Sequence, residues 1–115
     1  MEFVQLKTEL RNVNFADIRT DDNEYFEAVL KSPDLGLLIS RLDDSFGSRA
    51  WPSGQSLSGQ AQKIVNDCGG IRKGQTLYFQ GDVTCSVFVM LWPWQDGEHI
   101  TLKAGMIKGI GAVKV

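Results

Sequence analysis

The sequence is poor in the residues that build metal and redox sites. Among its 115 residues it has two cysteines, Cys68 and Cys85, and one histidine, His99. Structural zinc sites need three or four Cys or His ligands, and the sequence has no Cys-x-x-Cys pair or Cys/His cluster. Two isolated cysteines favour reduced thiols over a disulfide framework. We therefore expect neither a bound metal nor another cofactor.

Long apolar runs are also missing. The longest, residues 87–94, is far shorter than the ~20 residues that a membrane-spanning helix requires. Near the start of the chain, Glu2, Lys7, Glu9 and Arg11 interrupt the apolar stretch that a secretory signal would need. We expect a cytoplasmic protein that does not interact with membranes.

Neither sign of charge is in large excess. The chain has 12 basic and 14 acidic side chains, and the net charge is −4 over residues 1–68 and +2 over residues 69–115. Nucleic-acid binding needs a basic surface that displaces counterions from the phosphates, so we expect no nucleic-acid partner. The acidic half instead allows a basic protein partner, bound through a patch formed by Asp21, Asp22, Glu24, Asp43 and Asp44.

The first half of the sequence has helical signals. Residues 3–13 fit a helix face and an alternating strand equally well. Residues 22–31 predict a helix, because an aspartate precedes a stripe formed by Phe26, Val29 and Leu30. A second helix begins at Ser32-Pro33 and ends at Gly47, and a third covers residues 57–68.

The second half has the alternation and turn signals of an antiparallel meander. The predicted strands are residues 75–80, 83–94, 98–107 and 110–115. Gly81-Asp82, Asp96-Gly97 and Lys108-Gly109 are the predicted turns. One domain over residues 1–115 therefore has an α+β fold, with N-terminal helices followed by a curved four-stranded antiparallel sheet. By analogy of element order alone, this arrangement is cone-like or cystatin-like.

Pairing about the turns assigns each strand residue to one of two faces. The Asp96-Gly97 turn pairs Trp94 with His99, Trp92 with Thr101 and Met90 with Lys103, while Gly81-Asp82 pairs Tyr78 with Cys85 and Phe79 with Thr84. The aliphatic face then carries Tyr78, Val83, Cys85, Val87, Val89, Leu91, Ile100, Leu102, Ala104, Met106, Val113 and Val115. The aromatic face carries Leu77, Phe79, Phe88, Met90, Trp92, Trp94, His99, Thr101, Lys103 and Lys114.

Both faces are too apolar to be left in water. A monomer rarely exposes an apolar patch larger than ~300–600 Å², and four aromatic side chains alone represent ~600–1,000 Å². We expect the helices to cover one face, and the N-terminal segment, a second subunit or a ligand to cover at least part of the other. Leu77, Phe79, Phe88 and Met90 are the predicted interface residues of a homo-oligomer, with a dimer as the default.

A pocket is predicted where the aromatic face ends. Its predicted ligand-binding residues are Trp92, Trp94, His99, Thr101 and Lys103, together with Trp51 and Arg49 from the loop at 47–55. Aromatic walls with a few polar groups are typical of ligand sites, and the expected ligand is small, flat, and anionic or neutral. The alternative for Trp51 is to close one end of the core.

The sequence therefore predicts a small non-enzymatic binding or interaction domain, oligomeric through its aromatic face or with a ligand pocket there. One alternative is an acidic protein inhibitor of the immunity-protein or antitoxin type. Another is a small enzyme with an aromatic pocket. No phosphate loop supports the enzyme, because "GGIRKG" at 69–74 lies between a predicted helix and a strand, the reverse of a phosphate loop.

Overall fold

The computed structural model describes residues 2–47, 49–51, 59–67, 70, 74–81 and 85–108. Over these residues the fold is α+β, with helices at the N-terminal side and a five-stranded antiparallel sheet in the order β1-β2-β5-β4-β3. The elements are α1 (Phe3–Leu10), β1 (Asp17–Asp21), β2 (Tyr25–Lys31), a 3-10 turn (Ser32–Asp34), α2 (Leu35–Phe46), α3 (Gly59–Asp67), β3 (Thr76–Gly81), β4 (Cys85–Pro93) and β5 (His99–Lys108). The predicted count of four strands is wrong.

Two of the five strands, β1 and β2, are unexpected: residues 17–21 lie in no predicted element, and residues 22–31, predicted as a helix, form a turn followed by β2. Asp22 accepts hydrogen bonds from the backbone N–H groups of Glu24 (2.9 Å) and Tyr25 (2.8 Å). An aspartate side chain accepts hydrogen bonds from the backbone N–H groups that follow it both at the start of a helix and in a tight turn, so its presence predicts either structure. The turn joins β1 to β2, and β2 pairs with β5 along its whole length. Tertiary pairing therefore decides against the local helical pattern.

Residues 3–13, which fit helix and strand equally, contain α1. Phe3, Leu6 and Leu10 are buried at helical spacing. α2 and α3 confirm two predicted helices: Gly47 follows α2 at φ +84°, where glycine is favoured. The third helix is predicted over residues 57–68, and its predicted end residues, Leu57 and Cys68, lie outside the described residues.

The predicted register is right for one hairpin and shifted in the other. β4 and β5 pair Trp92 with Thr101 and Met90 with Lys103, as expected. β3 and β4 pair Tyr78 with Val89 and Phe79 with Phe88, four residues from the predicted partners. An even shift preserves the side-chain alternation, so both β3 residues keep their predicted faces. The predicted Lys108-Gly109 turn, the strand 110–115 and the Lys103–Lys114 pair fall outside the described residues.

Helices cover parts of both faces, which corrects the expectation that they cover one. α1 and α2 pack on the aliphatic face, where Leu30, Leu102 and Ala104 are completely buried. α3 packs on the aromatic face against Leu77 and Phe88. Among the described residues, no helix has the length and apolar character needed to cross a bilayer.

Candidate functional site

The cluster beneath α3 covers the aromatic face as far as Trp92. Beyond Trp92, the same face continues over β5, β2 and β1 with mostly polar side chains. We call the following residues of this region the polar half-face: Arg19, Tyr25, Glu27, Trp92, Trp94, His99, Thr101 and Lys103. The buried Val29, which pairs with Thr101, lies on the same face. The polar half-face contains all of the predicted ligand-binding residues except Trp51 and Arg49.

Trp94 is the most exposed aromatic side chain of this region, at 39%. Its indole Nε1–H donates to Thr101 Oγ1 at 2.8 Å, and its ring stacks on the His99 ring with centroids 4.8 Å apart. The Arg19 guanidinium lies 6.0 Å from the ring centroid. Three contacts from β1 and β5 thus fix a side chain that remains substantially open to solvent.

Trp92 has the opposite environment. The Lys103 ammonium lies 4.1 Å from its ring centroid, close enough for a cation–π contact, and the ring borders the α3 cluster. Its Nε1–H is buried and has no hydrogen-bond acceptor among the described residues. A buried donor without an acceptor costs about 1–3 kcal/mol. The Trp92 indole N–H therefore carries a cost that the hydrogen-bonded Trp94 indole N–H does not.

The turn between β4 and β5 positions His99. Asp96 Oδ1 accepts the backbone N–H groups of Glu98 (2.8 Å) and His99 (3.0 Å), and Asp96 Oδ2 lies 2.6 Å from His99 Nδ1. The hydrogen bond from the Glu98 backbone, followed by that from His99, lowers the pKa of Asp96. Asp96, Glu98 and His99 also offer three metal-ligand atoms within 4.8 Å of one another, which the sequence reading missed. The turn's own hydrogen bonds account for this grouping.

Arg19, Tyr25 and Glu27 are the members that sequence reasoning missed. The Tyr25 hydroxyl donates to Glu27 Oε1 at 2.6 Å, and Arg19 Nε lies 3.4 Å from Asp17 Oδ2. Residues 22–31 are predicted as a helix and Arg19 lies in no predicted element, so the predicted strand pairing does not place these residues beside Trp94. The alternation of Tyr25-Phe26-Glu27-Ala28 in the sequence is a strand signal that would place Tyr25 and Glu27 on one face.

Trp51 and Arg49 do not join the polar half-face. Trp51 forms a backbone bridge with Leu77 at the β3 edge of the sheet and packs against the α3 cluster. That position matches the alternative in which Trp51 closes one end of the core. Arg49 is exposed, and its charge acts on Tyr78, which lies on the aliphatic face.

The predicted interface residues are buried within the chain. Leu77 and Met90 are 0% exposed and Phe88 is 5% exposed, all three packed with Ile64 and Val65 of α3, while Phe79 is half-buried beside them. A second subunit is not needed to cover Leu77, Phe88 and Met90, whereas Phe79 remains partly exposed.

The acidic residues of the predicted patch are divided between two places. Asp21, Asp22 and Glu24 lie at the β1–β2 turn, and Asp43 and Asp44 lie in α2. Asp21 pairs with Lys7, Asp22 holds the turn, and Asp43 accepts the Tyr78 hydroxyl at 2.8 Å. Three of the five carboxylates are therefore engaged within the chain.

Comparison with protein-family models, with curated proteins and with solved structures gave no match to this chain.

Proposed function

We propose that this protein is a non-enzymatic binding domain whose polar half-face takes a small, flat, anionic or neutral ligand stacked on Trp94. The fixed but exposed position of Trp94 is the observation that carries the proposal. An aromatic side chain that is already held in one conformation loses little conformational entropy on binding. Tryptophan and arginine are also the residues most enriched among those that dominate binding energy.

The charges on the polar half-face favour an anionic ligand over a cationic one. Lys103 has no carboxylate within ion-pair distance among the described residues, although Glu27 is its partner in the neighbouring strand. Glu27 accepts the Tyr25 hydroxyl, and Asp17 lies beside Arg19. The carboxylates are thus partly engaged, whereas among the described residues the Lys103 ammonium has Trp92 as its one such contact.

Titration of ¹⁵N-labelled protein with indole-3-acetate, followed by NMR, tests this proposal. The three tryptophans, Trp51, Trp92 and Trp94, provide three indole N–H reporters. We expect saturable shifts of the Trp94 and Thr101 signals, with smaller shifts for Trp51. Tryptamine, of similar shape and opposite charge, should bind about tenfold more weakly.

Lys103→Gln and Lys63→Gln form a matched pair of variants for the same titration. Lys63 is exposed on α3, away from the polar half-face. Loss of binding in Lys103→Gln alone supports the proposal. Equal binding of the acid and the amine, or the absence of a saturable shift at Trp94, would contradict it.

Self-association through the sheet or its flank is a separate prediction that the proposed function does not require. Light scattering at tens of micromolar protein tests the expected dimer, and a monomer would contradict it.

We also propose a cytoplasmic location. The cone-like or cystatin-like analogy stays a prediction on which the ligand site does not depend.

A further inference from the structure

A small cavity of about 180 Å³ lies on the other side of the sheet, where α1 meets the edge strand β1. The chain leaves α1, and Ala16 N–H then donates to the Val29 carbonyl at 2.8 Å as the chain reaches β1. α1 therefore lies over the outer end of the aliphatic face. The cavity is the space that remains between the end of α1 and the β1–β2 hairpin.

The interior of the cavity is apolar. Its apolar lining residues are Leu10, Val13, Phe15, Ile18 and Phe26. Leu10, Val13 and Phe26 are buried, and Phe15 and Phe26 form an edge-to-face pair with centroids 5.5 Å apart. Ile18, at 56% exposure, lies where the cavity opens to solvent. Such walls favour an aliphatic group and provide no hydrogen-bonding side chain for a polar one.

A register shift in β1 decides which charges meet this cavity. The irregularity between Ile18 and Thr20 places Ile18 opposite Ala28 and Asp21 opposite Phe26, so both line the cavity. Asp21 pairs with Lys7, which also donates to the Asp22 carbonyl at 3.0 Å. The charges of Lys7 and Asp21 therefore offset each other beside the cavity.

Arg11 is the remaining charged residue of the lining. It is exposed, and none of the described residues forms an ion pair or a hydrogen bond with its guanidinium. The cavity thus combines an apolar interior with one guanidinium that has no partner within the described part of the chain, and the planar donors of this group match a carboxylate. This charge complementarity indicates a monoanion.

We propose that this cavity binds a small aliphatic monocarboxylate, with its branched hydrocarbon part among Leu10, Val13 and Phe26 and its carboxylate on Arg11. An apolar protein cavity of ~150 Å³ is large enough to bind benzene, and this cavity has a volume of about 180 Å³. A five-carbon branched chain with a carboxylate at the opening has the required size. The site is independent of the polar half-face.

The experiment is an NMR titration of the full chain with 4-methylpentanoate, with 4-methylpentanamide and 4-methylpentylamine as neutral and cationic controls. We expect saturable shifts at Val13, Ile18 and Phe26 and a dissociation constant of about a millimolar for a ligand this small. The amide should bind about tenfold more weakly than the acid, and the amine more weakly still.

Two variants locate the charge and the cavity. Arg11→Gln should reduce the affinity for the acid about tenfold and leave the affinity for the amide within about twofold, whereas Lys63→Gln should change neither. Ile18→Trp, a change at an exposed position, should abolish binding of both ligands by filling the opening. Chemical shifts away from the cavity show that each variant is folded.

Several results would overturn the proposal. These are equal binding of acid and amine, unchanged affinity for the acid in Arg11→Gln, binding that survives in folded Ile18→Trp, and shifts that do not saturate or that centre on Trp94.

Discussion

The two faces of the sheet differ in how completely helices cover them. The aliphatic face is packed by α1 and α2 from β2 to β3, with Leu30, Leu102 and Tyr78 all at 0% exposure. On the aromatic face, α3 covers the β3–β4 side, and the polar half-face continues beyond Trp92. There, long side chains contact the aromatic rings: Lys103 lies over Trp92 and Arg19 near Trp94. The same sheet thus combines one structural face with one that is divided between core and candidate site.

This difference shows that side-chain alternation in the strands does not by itself predict how much of each sheet face the helices cover. Along β4, residues 87–92 are apolar on both faces, and this pattern predicts a cover over one face and over at least part of the other. In β5 the aromatic face carries His99, Thr101 and Lys103 next to Trp92 and Trp94, so its polar part lies on one side. Amphipathic side chains can cover apolar rings while their charged ends stay in water. One short helix is then sufficient.

The largest expected effect compares neighbouring residues on opposite faces. Leu102→Ala removes a completely buried side chain from the aliphatic face and should lower the free energy of unfolding by about 2–5 kcal/mol. Lys103→Ala, one residue further on the polar half-face, should cost less than about 1 kcal/mol. Urea unfolding measures both. Similar losses would mean that the polar half-face is packed like a core.

A smaller effect is expected where Phe88 approaches the backbone of β5. A Cβ atom at Gly105 would lie 2.8 Å from Phe88 Cε1 and 3.2 Å from the Glu24 carbonyl oxygen. Gly105→Ala should therefore destabilise the fold by about 1–3 kcal/mol.

Gly36→Ala is the control for this substitution, because an added Cβ in α2 meets nothing within 4 Å. We expect it to stabilise the protein by about 0.5 kcal/mol. Thermal unfolding of both variants makes the comparison. An unchanged stability in Gly105→Ala would contradict the close packing of Phe88.

Tyr78→Phe tests the bond that links the aliphatic face to α2. The Tyr78 hydroxyl donates to Asp43 Oδ1 at 2.8 Å, and its loss should cost about 1 kcal/mol at neutral pH. Burial, followed by the hydrogen bond to Asp43, raises the pKa of Tyr78 to about 12. The folded state therefore favours the neutral phenol. Its stabilising effect is complete below the unfolded pKa near 10 and is lost as the pH rises through about 12.

Urea unfolding between neutral and alkaline pH checks this dependence. The free energy of unfolding should fall more steeply above pH ~10 in the wild type than in Tyr78→Phe. Tyr25→Phe, which removes the hydroxyl bonded to Glu27 on the polar half-face, is the matched control. A steeper fall in Tyr78→Phe than in the wild type would show that the assigned bond is not responsible.

Thr101→Val probes the support of Trp94. It removes the acceptor of the indole N–H, but Trp94 is 39% exposed and its N–H can bond to water instead. We expect a stability loss of only about 0.5–1 kcal/mol, together with greater mobility of the Trp94 ring in NMR relaxation. An unchanged ring mobility would contradict the role of Thr101 in fixing Trp94.

The smallest expected effect is local and depends on pH. Hydrogen bonds from the Glu98 backbone and from His99 lower the pKa of Asp96. The lowered pKa means that ionised Asp96 stabilises the turn at pH values above its unfolded pKa, near 3.9. This stabilisation is lost as the pH falls through the folded pKa. NMR shifts of Glu98 and His99 N–H should therefore change below pH ~4, and Asp96→Asn should remove that transition. A transition that persists in the variant would point to another group.

Local sequence patterns determined α2, α3 and the pairing of β4 with β5. Helical spacing and end signals located α2 and α3, because Pro33, Gly47 and the buried stripe of each helix act within a few residues. The turn at Asp96-Gly97 fixed the pairing of Trp92 with Thr101, and alternation then placed Lys103 on the same face. Five of the seven predicted ligand-binding residues therefore lie together in the structure.

Only the tertiary structure decided which elements lie beside one another across the chain. Asp22 and the stripe after it satisfy a helix start and a strand turn alike, and pairing with β5 selects the strand because it supplies hydrogen-bond partners that no local pattern contains. That pairing brings Arg19 and Glu27 to the polar half-face. It also places α1 beside β1, where the Arg11 cavity forms. α2 packs on the aliphatic face and α3 on the aromatic face, and between them the chain contacts the β3 edge at Trp51. The periodicity of residues within a helix does not specify this long-range arrangement.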